Sequence, residues 1–531
     1  MTSMTAERSL LEQFPRLAVN GAGVDVGELE RLRTRARRFA EEHVRPRALE
    51  IDRRTGEDPG WLDWDLVRAG AEAGMLGFMI PKPAGGGGAR CTQTAVVMEE
   101  LCAACPGIAL IFGAHGLGIS PLLLGGPAHW DGVLAELVAS ERSGEPLLMA
   151  CAITEPEAGT DVEDPELLAR ARITSHARRV PGGFRLNGTK RFISNGSVAR
   201  WITLLMPTDP RRPVESWTCF LLDTRSEGFA VARAEHKMGQ RACPAAELTF
   251  DEVFVPNERI VSREGDGAAA TMIVLASSRP PVGAIATGIA RGAYERVLGW
   301  LEEDRAARGL LERQHVQLAL ASMEEEIHLA RQAYMDAATE LDHAALGGIM
   351  SNRGAWALEH VPASVRGRAH VRRLLSSDRA RDATIALLHR STSDRAMTRS
   401  LALSSMAKAR GGDVAMRVTG AALELAGLRA GPVRAELEKL WRDAKLCQIY
   451  EGTNQLNRLE VYRGLCRSQT IHCLPPLGRL HLNGDGTHHA GVDGTHHVGG
   501  DGTHHAGVDG THHASGDGTH HAGVDAERVG A

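Results

Sequence analysis

A chain of 531 residues, 43% of them hydrophobic, is long enough for two or three domains with sizeable cores. Its 61 basic and 66 acidic side chains leave a net charge of −5, too balanced for nucleic acid or an anionic membrane to be the main partner. Nine cysteines, an odd number scattered from Cys91 to Cys473, do not resemble a disulfide framework and favour a reducing, cytoplasmic setting.

The opening MTSMTAERSLLEQF lacks a basic stretch followed by an apolar one, so no secretory signal is expected. No apolar run reads as long enough to span a bilayer. Residues 25–146 carry helical texture. "GELERLRTRARRFAEEHVRPRALEIDRR" places apolar residues at helical spacing on a charged background, with Pro46 marking a break. "WDLVRAGAEAGMLGFMIP" and "QTAVVMEELCAACPGIALIFGAHGLG" are more apolar and should pack inside. The four glycines of "PAGGGGAR" form a loop and lack the frame of a phosphate-binding motif. Cys102 and Cys105 have redox or zinc spacing, but no second pair follows; a buried small-residue helix is the simpler reading.

At Leu147 the texture changes. "LLMACAIT", "GFRLNGTK", "RWITLLMP", "WTCFLLD" and "AELTFDEVFVP" are short, rich in β-branched or aromatic residues, and divided by Gly, Pro and Asn, which predicts a β domain over 147–261. Long alanine-rich helices return over 262–468, as in "PPVGAIATGIARGAYERVLGWLEEDRAA", and predict a bundle. An Arg- and Ser-rich stretch at about 343–395 reads as a partly helical insertion in it. The order is helical, β, helical, an α+β chain. From 469 to 531 the chain becomes low-complexity, with an eight-residue repeat, "DGTHHAGV" with variations, from Asp485; it offers almost nothing to bury and predicts a disordered tail. Its five His-His pairs, from His488/His489 to His520/His521, are either soft-metal ligands or a repeat expansion without a role.

"QIYEGTNQLNR" (448–458) sets one acid, Glu451, between an aromatic residue and a Gly-Thr pair, after the apolar Leu446, Ile449 and Tyr450. The residues alone allow either an exposed loop acid or a poorly hydrated base whose pKa desolvation would raise.

Four stretches occur in one order: "CAITEPEAGTD" (151–161), "KRFISNG" (190–196), "HKMGQRACPAAELTFDEVFVP" (236–256) and "RDAKLCQIYEGTNQLNR" (442–458). Together they resemble the acyl-CoA dehydrogenase family, over roughly residues 25–468. The resemblance implies a helical N-terminal domain, a central β domain and a C-terminal four-helix bundle, with FAD between the last two and a neighbouring subunit contributing. It implies removal of two hydrogens from adjacent carbons of an acyl thioester, borne by coenzyme A or a carrier protein. A carboxylate takes the α-proton, flavin N5 takes the β-hydrogen as hydride, and an electron-transfer flavoprotein or similar acceptor collects the electrons. A homotetramer or dimer is implied as well.

Residue by residue, Glu451 matches the family's base in its Tyr-Glu-Gly-Thr motif, with Gly452 beside it on the substrate side. Some members carry the base instead on the first bundle helix, before an Arg-Pro step; here that position is Ser278, which cannot serve, leaving Glu451. Thr154 matches a hydrogen-bond partner of the flavin ring, and Phe192 and Ser194 stand where the family has Trp and Thr against it. Thr453, Gln455, Gly427 and Arg305 match other FAD contacts, Arg305 reaching phosphates in a partner subunit. Thr160 and Arg279 match positions near the thioester and its pantetheine, and Arg463 a substrate-side residue. The chain departs from the pattern at Arg308, where Phe is usual, at Ala426 in the bundle's Gly-Gly motif, at Ala276, where Asp is common, and in the insertion. These departures point to a specialised substrate. The rival readings are a flavin oxidase or monooxygenase on the same fold, and a metal-binding protein acting through the histidine tail.

Overall fold

The computed structural model describes residues 25–474, apart from 126–129, 262, 305–306, 346–360, 362–364, 366–367, 369, 372–373, 375–376, 429 and 472. Arg305 and the histidine pairs therefore lie outside the described residues.

Helix α1 (Val26–Phe39) starts where the Asp25 side chain accepts the Glu28 N–H at 3.0 Å, and it buries Leu29, Leu32, Ala36 and Phe39 on one face. A π-turn and the Arg-Pro-Arg step at Pro46 interrupt it before α2 (Ala48–Glu57). Next come α3 (Trp64–Glu72), α4 (Cys91–Ala104), α5 (Pro106–Leu124) and α6 (Ala135–Arg142). The apolar run read as continuous is cut between α4 and α5. Cys105 is extended (φ −159°, ψ 110°), as the residue before a proline prefers, and Pro106 opens α5. Cys102 and Cys105 are both buried and unbridged.

The β domain has two sheets. One has the order β1 (Met149–Ala152), β4 (Trp201–Pro207), β5 (Trp217–Asp223), with β1 and β4 parallel. The other has the order β2 (His176–Val180), β3 (Gly183–Ser194), β7 (Ala245–Pro256), β6 (Phe229–Ala234), all antiparallel. Ile202, Leu204, Phe220 and Leu222 from the first sheet share a core with Phe184, Leu186, Leu248 and Val253 from the second. The first sheet's other face, with Met149, Leu205 and Leu221, packs on Ile119 and Leu122 of α5. Being covered on both sides, its strands are apolar throughout rather than alternating.

Helices α7 (Gly267–Glu303), α8 (Gln314–Glu340), α10 (Asp394–Ala426) and α11 (Gly431–Leu446) form the bundle, with α9 (Asp378–Ser391) before α10 and α12 (Asn454–Val461) after α11. Helix α7 runs unbroken through Pro280 and Pro281. Their missing N–H groups would orphan the carbonyls of Ala276 and Ser277. The Ser404 hydroxyl donates to the first at 2.8 Å, and the Cys91 thiol to the second at 3.4 Å. The helix therefore presents Ser278 and Arg279 at a fixed point. By length and apolar composition α5 and α7 could each cross a membrane, against the sequence reading, but 67% and 89% of their most apolar windows are buried inside the fold. They are core helices.

Candidate active site

The turn between α11 and α12 holds two consecutive residues in the left-handed region, Glu451 at φ +56° and Gly452 at φ +76°. A non-glycine residue there is held against a steric cost and persists only where its surroundings dictate it. They do so here. Arg279 Nε donates to the Glu451 carbonyl at 3.1 Å. Asn457 Nδ2 reaches the carbonyls of Glu451, Gly452 and Thr453 at 3.2, 2.9 and 3.0 Å. Lys408 Nζ donates to the Gly452 carbonyl and, at 3.0 Å, to Asn454 Oδ1. Thr453 caps α12, its hydroxyl accepting the Leu456 N–H at 3.3 Å. A β-carbon on Gly452 would meet Arg279 Nη2, Glu163 Oε2 and Asn457 Nδ2 at 3.0 to 3.1 Å.

The Glu451 side chain is partly buried, and its Oε2 accepts the Ser278 hydroxyl at 2.7 Å. Burial raises its pKa above the usual carboxylate value, while Ser278, Arg279 and Lys408 pull the other way. Arg279 is wholly buried beneath the turn. Its Nη1 donates to Ser405 Oγ at 2.9 Å and to Glu460, and its Nη2 lies 3.5 Å from Glu163 Oε2. Burial pushes the Glu163 carboxyl up to about 7 and raises Glu460, while burial and then Arg279 bring the Lys408 ammonium down to about 8. Three carboxylates, Glu451 among them, and two cations thus share a largely dry cluster at the turn.

The structure brings several expected residues to this point. Thr160 opens the short 3₁₀ helix Thr160–Glu163, which carries Glu163 against Gly452. Arg463 pairs with Asp164, and at 3.0 Å with Glu166, on the same segment. The Glu451 charge also reaches Cys151 on β1, whose thiol is pushed up to about 12 chiefly by burial. Thr154 follows β1, and its carbonyl accepts the Arg191 N–H at 2.9 Å, tying β1 to β3. Phe192 sits where the β3–β7 register slips between Lys190 and Ile193, at φ +58°, with its ring 54% exposed and the Arg191 guanidinium 4.6 Å over it. Ser194 ends β3, half-buried. Gln455 is exposed on the first turn of α12. Gly427 caps α10 at φ +53°, ψ −145°, a conformation essentially open only to glycine. Arg279 faces the turn and its acids, not open space.

Sequence reasoning missed Glu163, Glu460, Lys408 and Asn457. Lys408 alone left a trace, as one of two cations in the run "SSMAKARGG", whose small residues mark a buried face. Glu163 and Glu460 sit in polar stretches that read as solvated.

Comparison with known proteins covers nearly the whole described chain. Residues 27–133 match the N-terminal domain of acyl-CoA dehydrogenase, 150–253 its middle domain, and 265–358 with 366–466 its C-terminal domain. The chain is 30% identical over 431 residues to the cyclohex-1-ene-1-carbonyl-CoA dehydrogenase of Syntrophus aciditrophicus, covering 81% of this chain and 87% of that one. It is 28% identical over 441 residues to the probable acyl-CoA dehydrogenase FadE25 of Mycobacterium tuberculosis, covering 83% and 96%. An acyl-CoA dehydrogenase complexed with FAD from Bacillus anthracis has the same fold at a TM-score of 0.65 and 22% identity, covering 83% of this chain and 67% of that one.

Proposed function

The chain belongs to the acyl-CoA dehydrogenase family, FAD-dependent oxidoreductases acting on CH–CH groups, and we propose that it desaturates an acyl thioester with Glu451 as the α-proton base. The observation that carries this reading is the Glu451 carboxylate itself: strained into place, partly buried, raised in pKa and held by one hydrogen bond.

The chain's residues fit FAD. Phe192 spends a left-handed backbone position on an aromatic ring that stays more than half exposed, which suits a flat face for a flavin. Thr154 and Ser194 flank it along the strands, with Thr453, Gln455 and Gly427 as further contacts to the cofactor. Bound FAD supplies the acceptor for the β-hydrogen.

The protein's own part is the proton. Oε2 of Glu451 already accepts the Ser278 hydroxyl, which leaves Oε1 the freer oxygen to take the α-proton. Lifting the pKa by burial brings the carboxylate toward the working pH, where it accepts a proton more readily. Among the described residues the Glu451 N–H is donated to no backbone carbonyl, which leaves it for the thioester oxygen as enolate charge develops. Arg279 acts through the turn rather than on substrate, fixing the Glu451 carbonyl and so the reach of its side chain. The thioester is carried by coenzyme A or a carrier protein, the electrons leave to an electron-transfer flavoprotein or similar acceptor, and the working form is a homo-oligomer.

The test is anaerobic bleaching of the flavin band at ~450 nm against a panel of acyl thioesters. Wild type should be reduced by at least one of them. Glu451→Gln should retain FAD and lose at least ~10²-fold in the reduction rate. Reduction of Glu451→Gln at the wild-type rate would remove Glu451 from the role.

A further inference from the structure

Behind the base sits a second carboxylate that the reaction does not require. Glu163 lies at the end of its short helix with only 9% of its surface exposed, against the Gly452 Cα. Its Oε2 is buried and lies 3.5 Å from Arg279 Nη2, beyond good hydrogen-bond geometry, and each of these two atoms lacks a hydrogen-bond partner among the described residues. That same guanidinium holds the Glu451 carbonyl through Nε and Glu460 through Nη1. One cation is thus divided among two carboxylates and the backbone carbonyl of Glu451, and the Glu163 share is the loosest.

We infer that Glu163 is a positioning residue that works as a proton-controlled tuner of Glu451, strengthening the base when it ionises and relaxing it when protonated. The inference rests on the reading of Glu451 as the base. The charged groups facing Glu163 from the elements packed on it are Arg279 of α7, Glu451 in the turn, Glu460 of α12 and Lys408 of α10. With all of them ionised, the three acids outnumber the two cations. Such a cluster relieves itself by keeping one carboxyl protonated, and the one with the weakest partner is favoured. Burial, with the Glu451 and Glu460 charges adding to it, lifts that carboxyl to about 7, so the proton is exchanged within the physiological range. Losing it places a new negative charge beside the base, which raises the proton affinity of the Glu451 carboxylate. The same loss draws Arg279 Nη2 toward Glu163, and Arg279 anchors the Glu451 turn.

The experiment has two readouts on the FAD-loaded enzyme: the single-turnover rate of flavin reduction against pH, and infrared pH-difference spectra of the buried carboxyl C=O band. In wild type the rate should rise in two steps with pH, the upper one near pH 7, where a protonated-carboxyl band should also vanish. Glu163→Gln should bind FAD, lose the upper step and the band together, and plateau roughly threefold to tenfold below wild type. Should Glu163→Gln fail to fold, Glu163→Asp decides: it keeps the carboxyl but shortens its reach, so both signals should persist at a displaced pH. Glu451→Gln should move the infrared band's loss to lower pH, because it removes a neighbouring negative charge. A neutral ionisation that survives unchanged in Glu163→Gln, or stays unmoved in Glu163→Asp, overturns the inference. Flavin reduction persisting in Glu451→Gln would overturn the base instead, leaving the infrared result to stand separately.

Discussion

Ser278 donates its hydroxyl to Oε2 of Glu451 at 2.7 Å, joining two positions 173 residues apart. The first stands on α7, at the place where some members of the family carry their base, and the second is the base proposed for this chain. With serine in the first place, the two positions cooperate rather than substitute for each other. The hydroxyl holds one carboxylate oxygen and favours its ionised form, opposing the burial that raises the pKa.

Ser278→Ala removes that donor. Glu451 should then ionise at higher pH, and the acid limb of the flavin-reduction profile should move up in pH with it. Above that limb the base is stronger but less firmly aimed, and these effects oppose each other, so the rate should change by roughly tenfold or less, within the reach of a single hydrogen bond to a charged group worth about 1.5–3 kcal/mol. Single-turnover reduction across pH measures both quantities. An unmoved limb would mean that the hydroxyl has no hold on the base.

Gly452→Ala tests the turn. The position needs φ +76°, which costs an L-residue roughly 1–2 kcal/mol, and the added methyl meets three side-chain ends at 3.0 to 3.1 Å. Those ends belong to Arg279, Glu163 and Asn457; Arg279 and Asn457 hold the turn's carbonyls and cannot retreat without loosening them, while Glu163 Oε2 has no hydrogen bond among the described residues to lose. The variant should lower the thermal midpoint and lose flavin reduction by more than its loss of stability explains, since the displaced groups are the ones that aim Glu451. A stable variant with wild-type reduction would show that the clamp is slack.

Much of this was legible in the sequence, and the parts that were not have physical reasons. The strands β1, β3, β4, β5 and β7 announced themselves through apolar and β-branched residues, because they line a core. β2 (HARRV) and β6 (FAVARA) did not, since they are the edges of their sheet, and β6 is largely exposed. Such exposed edges carry polar residues and alanine and lose the alternation that pattern reading needs, whereas β1 and β5, edges of the other sheet, are buried and stay apolar. Paired prolines ordinarily interrupt a helix, and only the tertiary donors Ser404 and Cys91 show why α7 runs on through them. Glu451 was legible because a short motif surrounds it. Its companions were less so: Glu163, Lys408, Arg279 and Glu460 come from four separate segments, Glu163 and Glu460 read locally as ordinary surface charges, and Arg279 was legible as a site residue but not as the anchor of the turn. Their meaning lies in sharing one buried volume.

His115 gives the fold its own pH dependence. It is 1% exposed on α5, its Nδ1 accepts the Met149 N–H at 3.0 Å, and burial lowers its pKa from 6.5 to about 4. The unfolded chain therefore binds this proton before the folded one does. The stability contributed by neutral His115 is complete above pH 6.5 and is lost as pH falls from there toward 4, at no more than about 1.4 kcal/mol per pH unit. His115→Asn keeps an acceptor for Met149 but cannot be protonated. It should be less stable than wild type at pH 7.5, having lost packing, and the gap should narrow by pH 5. Denaturant unfolding of both proteins at the two pH values checks this, and a constant gap would refute it.

Phe192 separates stability from cofactor binding. The residue is 54% exposed and its backbone is left-handed, so the folded chain gains little from the ring and bears the strain of the bulge. Replacing it with glycine relieves roughly 1–2 kcal/mol of steric cost but adds about 0.5–1 kcal/mol of chain entropy and removes the contact with Arg191. These effects oppose each other, so the stability of apoprotein stripped of FAD should change by less than about 1 kcal/mol in Phe192→Gly. FAD affinity should drop at least ~10-fold, the loss of an aromatic contact worth about 1.4 kcal/mol. Phe192→Trp restores a flat ring at the same strained position and should hold FAD within about threefold of wild type, a difference below 1 kcal/mol. Titrating FAD into the three apoproteins, alongside their thermal midpoints, measures both sides. If Phe192→Gly binds FAD as well as wild type, the strained aromatic is not the flavin's platform. If it unfolds instead, the ring belongs to the core of the fold.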